Sequence, residues 1–153
     1  MKFQLATDYA IRILCYLYEH GNRLSTAAHL SEKLGITYLY FMKLTGVLKQ
    51  AGLIQSVQGC NGGYQLARNA EKVSVYDVVQ VIEGDIKINR CLEEDRFCSR
   101  NAADQCPVHK FFGSLQEDFI TKLKSQRICD LCEKQGQGRQ EKREAAVTSA
   151  GAR

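Results

Sequence analysis

Apolar side chains recur every three or four residues along much of the chain, which is the spacing of amphipathic α-helices. The first such stretch covers residues 6–20 and is stopped by Gly21. A second, short stretch follows the candidate N-cap Ser25 and ends at Gly35, and a third runs from the candidate N-cap Thr37 to about residue 51. Two helices joined by a short glycine-containing turn predict a helix-turn-helix, with the later helix as the recognition helix.

The residues directly after the recognition helix predict a β-hairpin. Residues 53–57 and 64–67 read as strands, and the turn sequence GCNGG lies between them at 59–63. A hairpin in this position is a wing, whose tip reaches the backbone or the minor groove of DNA. With a further helix over 73–83, residues 1–84 are predicted to form a winged helix-turn-helix domain that is mainly α with a small β-wing.

The second half of the chain is predicted to contain a polar loop, a long amphipathic helix and a disordered tail. Residues 85–106 are polar and lack an apolar period, which predicts a loop, and a long amphipathic helix is predicted from Pro107 onward. Its apolar stripe is too long to be covered by so small a domain, so residues 107–133 are predicted to be a dimerisation helix. Residues 134–153 offer no core side chains and are predicted to be disordered. The stripe consists of Val108, Phe111, Phe112, Leu115, Phe119, Leu123 and Ile128.

Composition narrows the class of protein. The net charge of +4 permits an anionic partner without demanding one, and no apolar run is long enough to span a membrane. Asp8 and Arg12 interrupt the first apolar stretch, so we do not interpret it as a signal peptide and expect a cytoplasmic protein. Seven cysteines in a reducing compartment then indicate metal binding or buried thiols rather than disulfides.

The outward face of the recognition helix supplies the candidate DNA contacts. Lys43 can meet a phosphate, while the tyrosines and Thr45 can donate hydrogen bonds to phosphates or base edges. The turn of the wing has no basic side chain, so backbone amides and helix N-termini would share the phosphate contacts. The alternative is that Tyr38 and Tyr40 only pack on the helix surface. The candidate contacts are Thr37, Tyr38, Tyr40, Met42, Lys43, Thr45, Gly59, Asn61, Gly62 and Gly63.

Three cysteines in the polar loop are the candidate metal ligands. Cys91, Cys98 and Cys106 have the spacing C-x6-C-x7-C, which lacks the short C-x2-C pairs of zinc sites. Widely spaced thiolates suit an iron–sulfur cluster, and we expect the loop to take its shape from the group bound to its sulfurs. The alternative is three free surface thiols. Two residues compete for the fourth position, Asp8 in the first helix and His109 three residues after Cys106, although each is ordinarily a surface residue at a helix start.

The other four cysteines have simpler interpretations. Cys129 and Cys132 form a C-x2-C pair, which could bind metal, but with Ile128 beside them they are better explained as small packing residues. Cys15 is predicted to lie in the core. Cys60 is at the tip of the wing, where it either touches DNA or has no role.

Four segments together resemble the Rrf-type family of bacterial winged-helix transcription regulators, with its IscR-, NsrR- and RirA-like branches. They are ATDYAIRILCYL, LSEKLGITYLYFMKL, LKQAGLIQSVQGCNGGYQLAR and VSVYDVVQVIEG. The resemblance covers roughly residues 1–133. It implies a homodimer that binds a palindromic operator on double-stranded DNA, with an iron–sulfur cluster (2Fe-2S or 4Fe-4S) near the dimer interface that controls DNA affinity.

The same resemblance extends to single residues. It implies that Cys91, Cys98 and Cys106 are the three cysteine ligands. Asp8 matches the aspartate that NsrR-like members supply from the partner subunit, and His109 matches the histidine position of IscR-like members. The opening TDYAIR is closer to the nitric-oxide branch, which favours Asp8.

Two modes of control follow. In the first, a repressor depends on a cluster that senses iron or cluster status, nitric oxide or redox stress. In the second, a cluster-free regulator of the same fold responds to a partner protein or to thiol oxidation. A third class, a small redox protein, would have no use for a recognition helix. We find no catalytic triad, phosphate loop or paired acid–base carboxylates in the sequence, so we do not expect an enzyme.

Overall fold

A computed structural model describes residues 2–21, 23–67 and 72–132 of the chain. The elements in order are α1 (Leu5–Glu19), α2 (Ala27–Leu34), α3 (Tyr38–Gln50), β1 (Ile54–Val57), β2 (Gly63–Leu66), α4 (Val75–Glu83) and α5 (Pro107–Ser125). Two 3-10 turns, Arg90–Leu92 and Ala103–Gln105, lie between α4 and α5, and residues 128–132 are helical. The predicted mainly α fold with a β-wing is confirmed, while the predicted tail over 134–153 lies outside the described residues.

The core lies where α1, α3 and α4 meet. Ile13 and Leu17 of α1, Phe41 of α3 and Val78 of α4 have no exposed surface. Burying each such side chain is worth about 1.5–3 kcal/mol. Ile36, in the turn between α2 and α3, is 5% exposed and anchors the helix-turn-helix to this core. The position of α3 is therefore set by apolar packing on its inner face.

The wing is attached to the first helices through Ser25. β1 and β2 are antiparallel, with Ile54 opposite Leu66. Ser25 pairs with Tyr64 beside them: the Ser25 amide donates to the Tyr64 carbonyl (3.0 Å), and the Tyr64 amide donates to the Ser25 carbonyl (2.8 Å). The prediction of Ser25 as an N-cap is therefore wrong, since its backbone belongs to the wing. Thr26 caps α2, where its Oγ1 accepts from the His29 amide at 3.3 Å.

The predicted dimerisation helix over 107–133 is not continuous. α5 ends at Ser125, and Gln126 has an extended backbone (φ −100°, ψ 111°). The Gln126 carbonyl accepts from the amide of Val75 (2.8 Å), and the Ile128 amide donates to the Val73 carbonyl (3.0 Å). The chain then turns into the core, where Ile128 is 2% exposed. Ile128 thus packs with the winged unit and does not extend the apolar stripe of α5.

The first residue of α4 is determined by the pairing of residues 73–75 with residues 126–128. Ser74 and Asp77 form a capping box, in which the Asp77 amide donates to Ser74 Oγ (3.2 Å) and the Ser74 amide donates to Asp77 Oδ2 (2.8 Å). The helix begins at Val75 rather than at residue 73 because Val73 and Ser74 pair with the segment after α5. None of the helices in the described ranges has the length and apolar character needed to cross a lipid bilayer.

Candidate nucleic-acid interface and cysteine loop

The first two turns of α3 face solvent next to the wing. Tyr38 is 51% exposed and Met42 is 40% exposed, and Thr37 and Lys43 are also exposed. Thr37 occupies the N-cap position, but its side chain makes no capping hydrogen bond within the described backbone. Leu39 is 82% exposed and was missed by the sequence analysis. The signal for it is an apolar residue two positions before Phe41, off the period of the inner face.

Thr45 is a correction to the predicted DNA contacts. It is 1% exposed, and its Oγ1 donates to the Met42 carbonyl at 3.1 Å. Thr45 follows Phe41 by four residues and precedes Leu48 by three, so it lies on the inner side of α3. The Thr45 hydroxyl therefore has its hydrogen-bond partner within α3 and cannot reach a base edge.

The two tyrosines predicted to face DNA differ in environment. Tyr40 is half-buried and its ring packs edge-to-face on Tyr9 of α1, with centroids 5.9 Å apart. Such pairs favour this geometry and add about 0.5–1.5 kcal/mol beyond burial. The packing alternative therefore applies to Tyr40, whereas Tyr38 is accessible.

The wing turn depends on glycines at close backbone contacts. The Gly62 amide donates to the Gly59 carbonyl at 3.0 Å, and a Cβ at Gly62 would lie 2.3 Å from the Val57 carbonyl oxygen. A Cβ at Gly63 would lie 2.7 Å from the Ser25 carbonyl oxygen. The identity of these two glycines is thus explained by packing within the wing. The exposed residues of the tip are Gly59, Cys60 and Asn61.

Tyr64 connects the wing to the recognition helix. Its ring packs edge-to-face on Phe41 with centroids 5.6 Å apart. Its hydroxyl lies 3.5 Å from Met42 Sδ and 3.5 Å from Thr45 Oγ1. The wing and the exposed face of α3 therefore form one surface. Lys43 and Lys49 are both exposed on α3.

The cysteine loop, residues 85–106, is shaped by contacts of its own. The Arg90 guanidinium pairs with Glu93 (2.7 Å) and with Asp95, and Arg96 pairs with Asp104 (3.2 Å). The hydrogen bond from Arg90 holds the pKa of Asp95 below its usual range. Protein groups therefore also contribute to the shape of the loop, and the expectation that a group bound to the sulfurs shapes it stays a prediction. These pairs are exposed, so each contributes little, about 0–1 kcal/mol.

Cys98 begins a tight turn of the loop, in which the Asn101 amide donates to the Cys98 carbonyl at 2.9 Å. Backbone hydrogen bonding, from Ala102 foremost and then from Arg100, lowers the pKa of the Cys98 thiol. Asn101 has a positive φ of 49°, the left-handed conformation that turns successive amides toward one point. An arrangement that favours the thiolate is what a metal-binding cysteine needs.

The two candidate fourth ligands differ in their surroundings. Asp8 pairs with Arg12 at 2.7 Å, and its side chain is 47% exposed on α1. His109 lies in the first turn of α5, and its Nδ1 is buried without a hydrogen-bond partner among the described residues. An imidazole nitrogen in that state is available as an acceptor or as a metal ligand.

The donor chemistry fits an iron–sulfur cluster, although one chain does not gather the donors. Within the described ranges, no three Cys, His, Asp or Glu side chains lie close enough to hold one metal ion. Cys91, Cys98 and Cys106 are nevertheless half-buried on one loop, and His109, with its unpartnered Nδ1, follows Cys106 by three residues. Soft thiolates with one imidazole or carboxylate are ligands that such clusters accept.

Two of the remaining cysteines are packing residues, as expected. Cys132 is 5% exposed, and its Sγ lies 3.1 Å from the Ile128 carbonyl and 3.8 Å from the Cys15 carbonyl of α1. Burial raises the pKa of both the Cys132 and the Cys15 thiols. These are inert thiols that fix the segment after α5 to α1.

α5 exposes a row of large apolar side chains. Phe111 is 62% exposed, Val108 53% and Leu115 45%. Beside them is a cleft of about 470 Å³, whose lining residues are Phe3, Ile88, Phe112, Leu115 and Phe119. The far side of α5 packs on the winged unit, where Phe3 stacks on Phe119 with centroids 5.9 Å apart. An exposed apolar patch of this kind marks an interaction surface.

A helix-turn-helix whose recognition helix adjoins a β-wing defines a winged-helix DNA-binding protein. Residues 3–134 match the family model Rrf2, described as "Iron-dependent Transcriptional regulator". The chain belongs to this Rrf2 family of transcriptional regulators.

Two curated relatives share about a third of their residues with this chain. Protein rrf2 of Nitratidesulfovibrio vulgaris is 33% identical over 132 residues, covering 86% of this chain and 87% of the relative. The HTH-type transcriptional regulator NsrR of Shouchella clausii is 31% identical over 133 residues, covering 86% of this chain and 88% of the relative. The family assignment thus extends over most of the chain.

Solved structures show the same fold. The IscR of T. potens has a TM-score of 0.68 and 24% identity, and the match covers 88% of each chain. CymR of B. subtilis, titled a global cysteine regulator, has a TM-score of 0.66 and 22% identity, with 87% of this chain and 97% of CymR covered. At these identities the likeness defines the fold alone.

Proposed function

We propose that the chain is a cytoplasmic, homodimeric repressor whose affinity for a palindromic operator is controlled by an iron–sulfur cluster. The observation that carries the cluster is the set of three half-buried cysteines on one polar loop, followed in the chain by His109 with its unpartnered Nδ1. The 31% identity to the relative named NsrR supports the same mode of control.

The DNA surface consists of the exposed part of α3 and the tip of the wing. Lys43 meets a phosphate, Thr37 and Tyr38 donate hydrogen bonds, and Met42 contributes contact area. Gly59 and Asn61 bring the backbone of the wing close to the duplex. Tyr40, Gly62 and Gly63 hold this surface in place from behind.

The exposed row on α5 forms the dimer interface. Phe111 and Leu115 of one subunit meet the same residues of the other, because a two-fold interface pairs each patch with itself. Two copies of the recognition helix then face half-sites about one helical turn of DNA apart.

The ligand set is Cys91, Cys98 and Cys106 with one further donor. When bound, the cluster supplies a group that iron shortage, oxidants or nitric oxide can remove or alter. The fourth ligand is Asp8 of the partner subunit, whose exposure on α1 supports its access to a second chain. His109 is the rival, supported by its buried and unpartnered Nδ1.

The contacts of α5 provide a route from the loop to the reading surface. Cys106 is the N-cap of α5, and the Ile88 amide of the loop donates to Gln116 Oε1 of the helix at 3.1 Å. At the other end, Gln126 is hydrogen-bonded to Val75 at the start of α4. A change in the conformation of residues 85–106 therefore moves α5 against the winged unit and shifts the populations of DNA-binding and non-binding dimers.

A cluster-free regulator of the same fold is the second candidate. The ion pairs of Arg90 and Arg96 organise the loop from protein groups alone, and the fold is shared with CymR, titled a cysteine regulator. In that case a partner protein or oxidation of the loop thiols changes the operator affinity.

The test uses full-length protein purified without oxygen, together with DNA duplexes that it selects from a random pool. We expect iron, sulfide and an absorption and Mössbauer spectrum of a cluster, all lost when Cys91, Cys98 and Cys106 are replaced by alanine, with a changed operator affinity. Cys129→Ala is the matched control and keeps the iron. Colourless, iron-free protein with full operator affinity would instead support the cluster-free regulator. If the protein selects no duplex from the random pool, DNA binding itself is contradicted.

A further inference from the structure

The exposed face of α3 carries an apolar edge formed by Leu39 and Met42. Leu39 is 82% exposed, more than Tyr38 or Met42 beside it. It does not belong to the hydrophobic core of the described residues, whereas the neighbouring Tyr40 is held against that core by Tyr9. Leu39 and Met42 are three residues apart and therefore lie on the same side of the helix. Leu39 therefore contributes little apolar burial to the folded chain.

We infer that Leu39, flanked by Met42, reads the C5-methyl group of thymine in the major groove. The inference rests on the proposed function, in which the N-terminal half of α3 enters that groove. Thymine is the one base whose major-groove edge presents a methyl group, while the other edges present only donors and acceptors. A leucine facing those edges would remove them from water without replacing their hydrogen bonds. Leu39 therefore selects thymine in each half-site.

The surroundings of Met42 and Leu39 support a fixed reading position. Met42 Sδ lies 3.5 Å from the Tyr64 hydroxyl, and Tyr64 is hydrogen-bonded through its backbone to Ser25. The wing therefore limits the movement of Met42. Leu39 is the second residue of α3, in the turn from which recognition helices contact bases. Lys43 follows one turn later, where it can neutralise a phosphate beside the contacted base.

The experiment removes the methyl group and nothing else. Duplexes are first selected from a random pool by the full-length protein, and each thymine of the selected sequence is then replaced singly by deoxyuridine. At one position per half-site we expect the affinity to fall about fourfold, and about fifteenfold when both half-sites are changed, as for the loss of a buried methylene-sized group. Leu39→Ala should bind the two duplexes equally. Leu5→Ala, an equally conservative change at a leucine that is 59% exposed on α1, should keep the full penalty.

A second variant tests for a gain of preference. Leu39→Gln offers the amide that pairs with adenine N6 and N7, so random selection with this variant should replace thymine by adenine at the same position. The inference is overturned if wild-type protein is indifferent to deoxyuridine throughout, or if Leu39→Ala keeps the penalty. Failure to select any duplex instead removes DNA binding, and with it the proposed function as a whole. Both variants are at an exposed position, so folding is expected to be unchanged.

Discussion

Glu83 Oε1 accepts a hydrogen bond from Thr7 Oγ1 at 2.5 Å and a second from the Gln4 amide at 2.6 Å. Glu83 is the last residue of α4, and Thr7 is in the first turn of α1. Gln4 provides no capping side chain of its own, so a carboxylate from a distant helix supplies the acceptor that the start of α1 lacks. The pair joins the helix that carries Asp8 to the helix that leads into the cysteine loop.

Replacing Glu83 by alanine should lower the free energy of unfolding by about 1–2 kcal/mol. The loss is expected because Thr7 is 1% exposed and its hydroxyl would be left without this acceptor. Glu83→Gln keeps an acceptor oxygen and should cost less. Glu32→Ala, an exposed glutamate of α2, is the control and should change stability by less than about 0.5 kcal/mol in urea denaturation. Equal losses at Glu83 and Glu32 would contradict the capping role.

Gly63 in the wing and Gly46 in α3 should respond in opposite directions to the same substitution. In Gly63→Ala the new methyl would meet the Ser25 backbone at 2.7 Å, so we expect a loss of about 1–3 kcal/mol and a displaced wing. In Gly46→Ala, within α3, nothing lies within 4 Å of the new methyl, and stability should rise by about 0.5–1 kcal/mol. Thermal unfolding of both variants is the measurement. A neutral Gly63→Ala would show that the wing can move away from Ser25 at no cost.

Most of the fold could be predicted from local patterns. The periodicity of Phe41, Leu44 and Leu48 and the glycines after α1 and α2 locate the helices, because both signals act within a few residues. The break of α5 at Gln126 could not be found in this way. Ile128 and Leu123 fit one apolar stripe, and only the hydrogen bonds to Val73 and Val75 show that the chain turns back there.

The candidate site was predicted less completely, because its side chains depend on neighbours that are far away in sequence. Thr45 was expected to face DNA, because the local sequence does not show that this threonine lies on the buried side of α3, near Tyr64 and Leu48. Leu39 was missed because an apolar residue is first assigned to the core. The cysteine spacing predicts three ligands, which stay a prediction, but it could not show the left-handed backbone at Asn101 or the lowered pKa of the Cys98 thiol.

The stability of the protein should fall at alkaline pH because of two thiols. Burial raises the pKa of Cys132 and of Cys15 above the usual value of about 8.5. The folded chain then keeps these protons while the unfolded chain loses them, so their contribution is complete below about pH 8.5 and is lost as the pH rises beyond it. Urea denaturation at about pH 7 and about pH 9.5 should show a smaller fall for Cys132→Ala than for wild type. An identical fall in both proteins would contradict the assignment.

The exposed row on α5 should determine the oligomeric state. Phe111→Glu places a charge where a 62% exposed ring is proposed to meet a second copy, and Leu115→Glu does the same one turn later. We expect either change to raise the dimer dissociation constant at least about tenfold in sedimentation velocity, since each removes buried apolar area and buries a charge. Val57→Glu, at a 46% exposed residue of β1, is the control for a new surface charge and should leave the dimer intact. A monomeric wild type would contradict the proposed interface directly.

The fourth ligand can be decided by mixing subunits. If Asp8 comes from the partner subunit, a mixed dimer of one Asp8→Ala chain and one Cys98→Ala chain retains one complete site, because the intact cysteines of the first chain meet Asp8 of the second. We therefore expect about half the iron of the wild-type dimer, whereas each variant alone as a homodimer binds little.

The histidine alternative also leaves about half the iron in the mixed dimer of Asp8→Ala with Cys98→Ala, so the Asp8→Ala homodimer and a second mixed dimer separate the two cases. A ligand within one chain makes Asp8→Ala harmless, and a mixed dimer of His109→Ala with Cys98→Ala then has no complete site. Arg12→Ala is the control for loss of the Asp8 ion pair, since it frees the carboxylate without removing it. Iron content that depends on His109 and not on Asp8 would transfer the fourth position to His109. The cluster would then control operator affinity through α5 of the same chain, because His109 lies in the first turn of that helix.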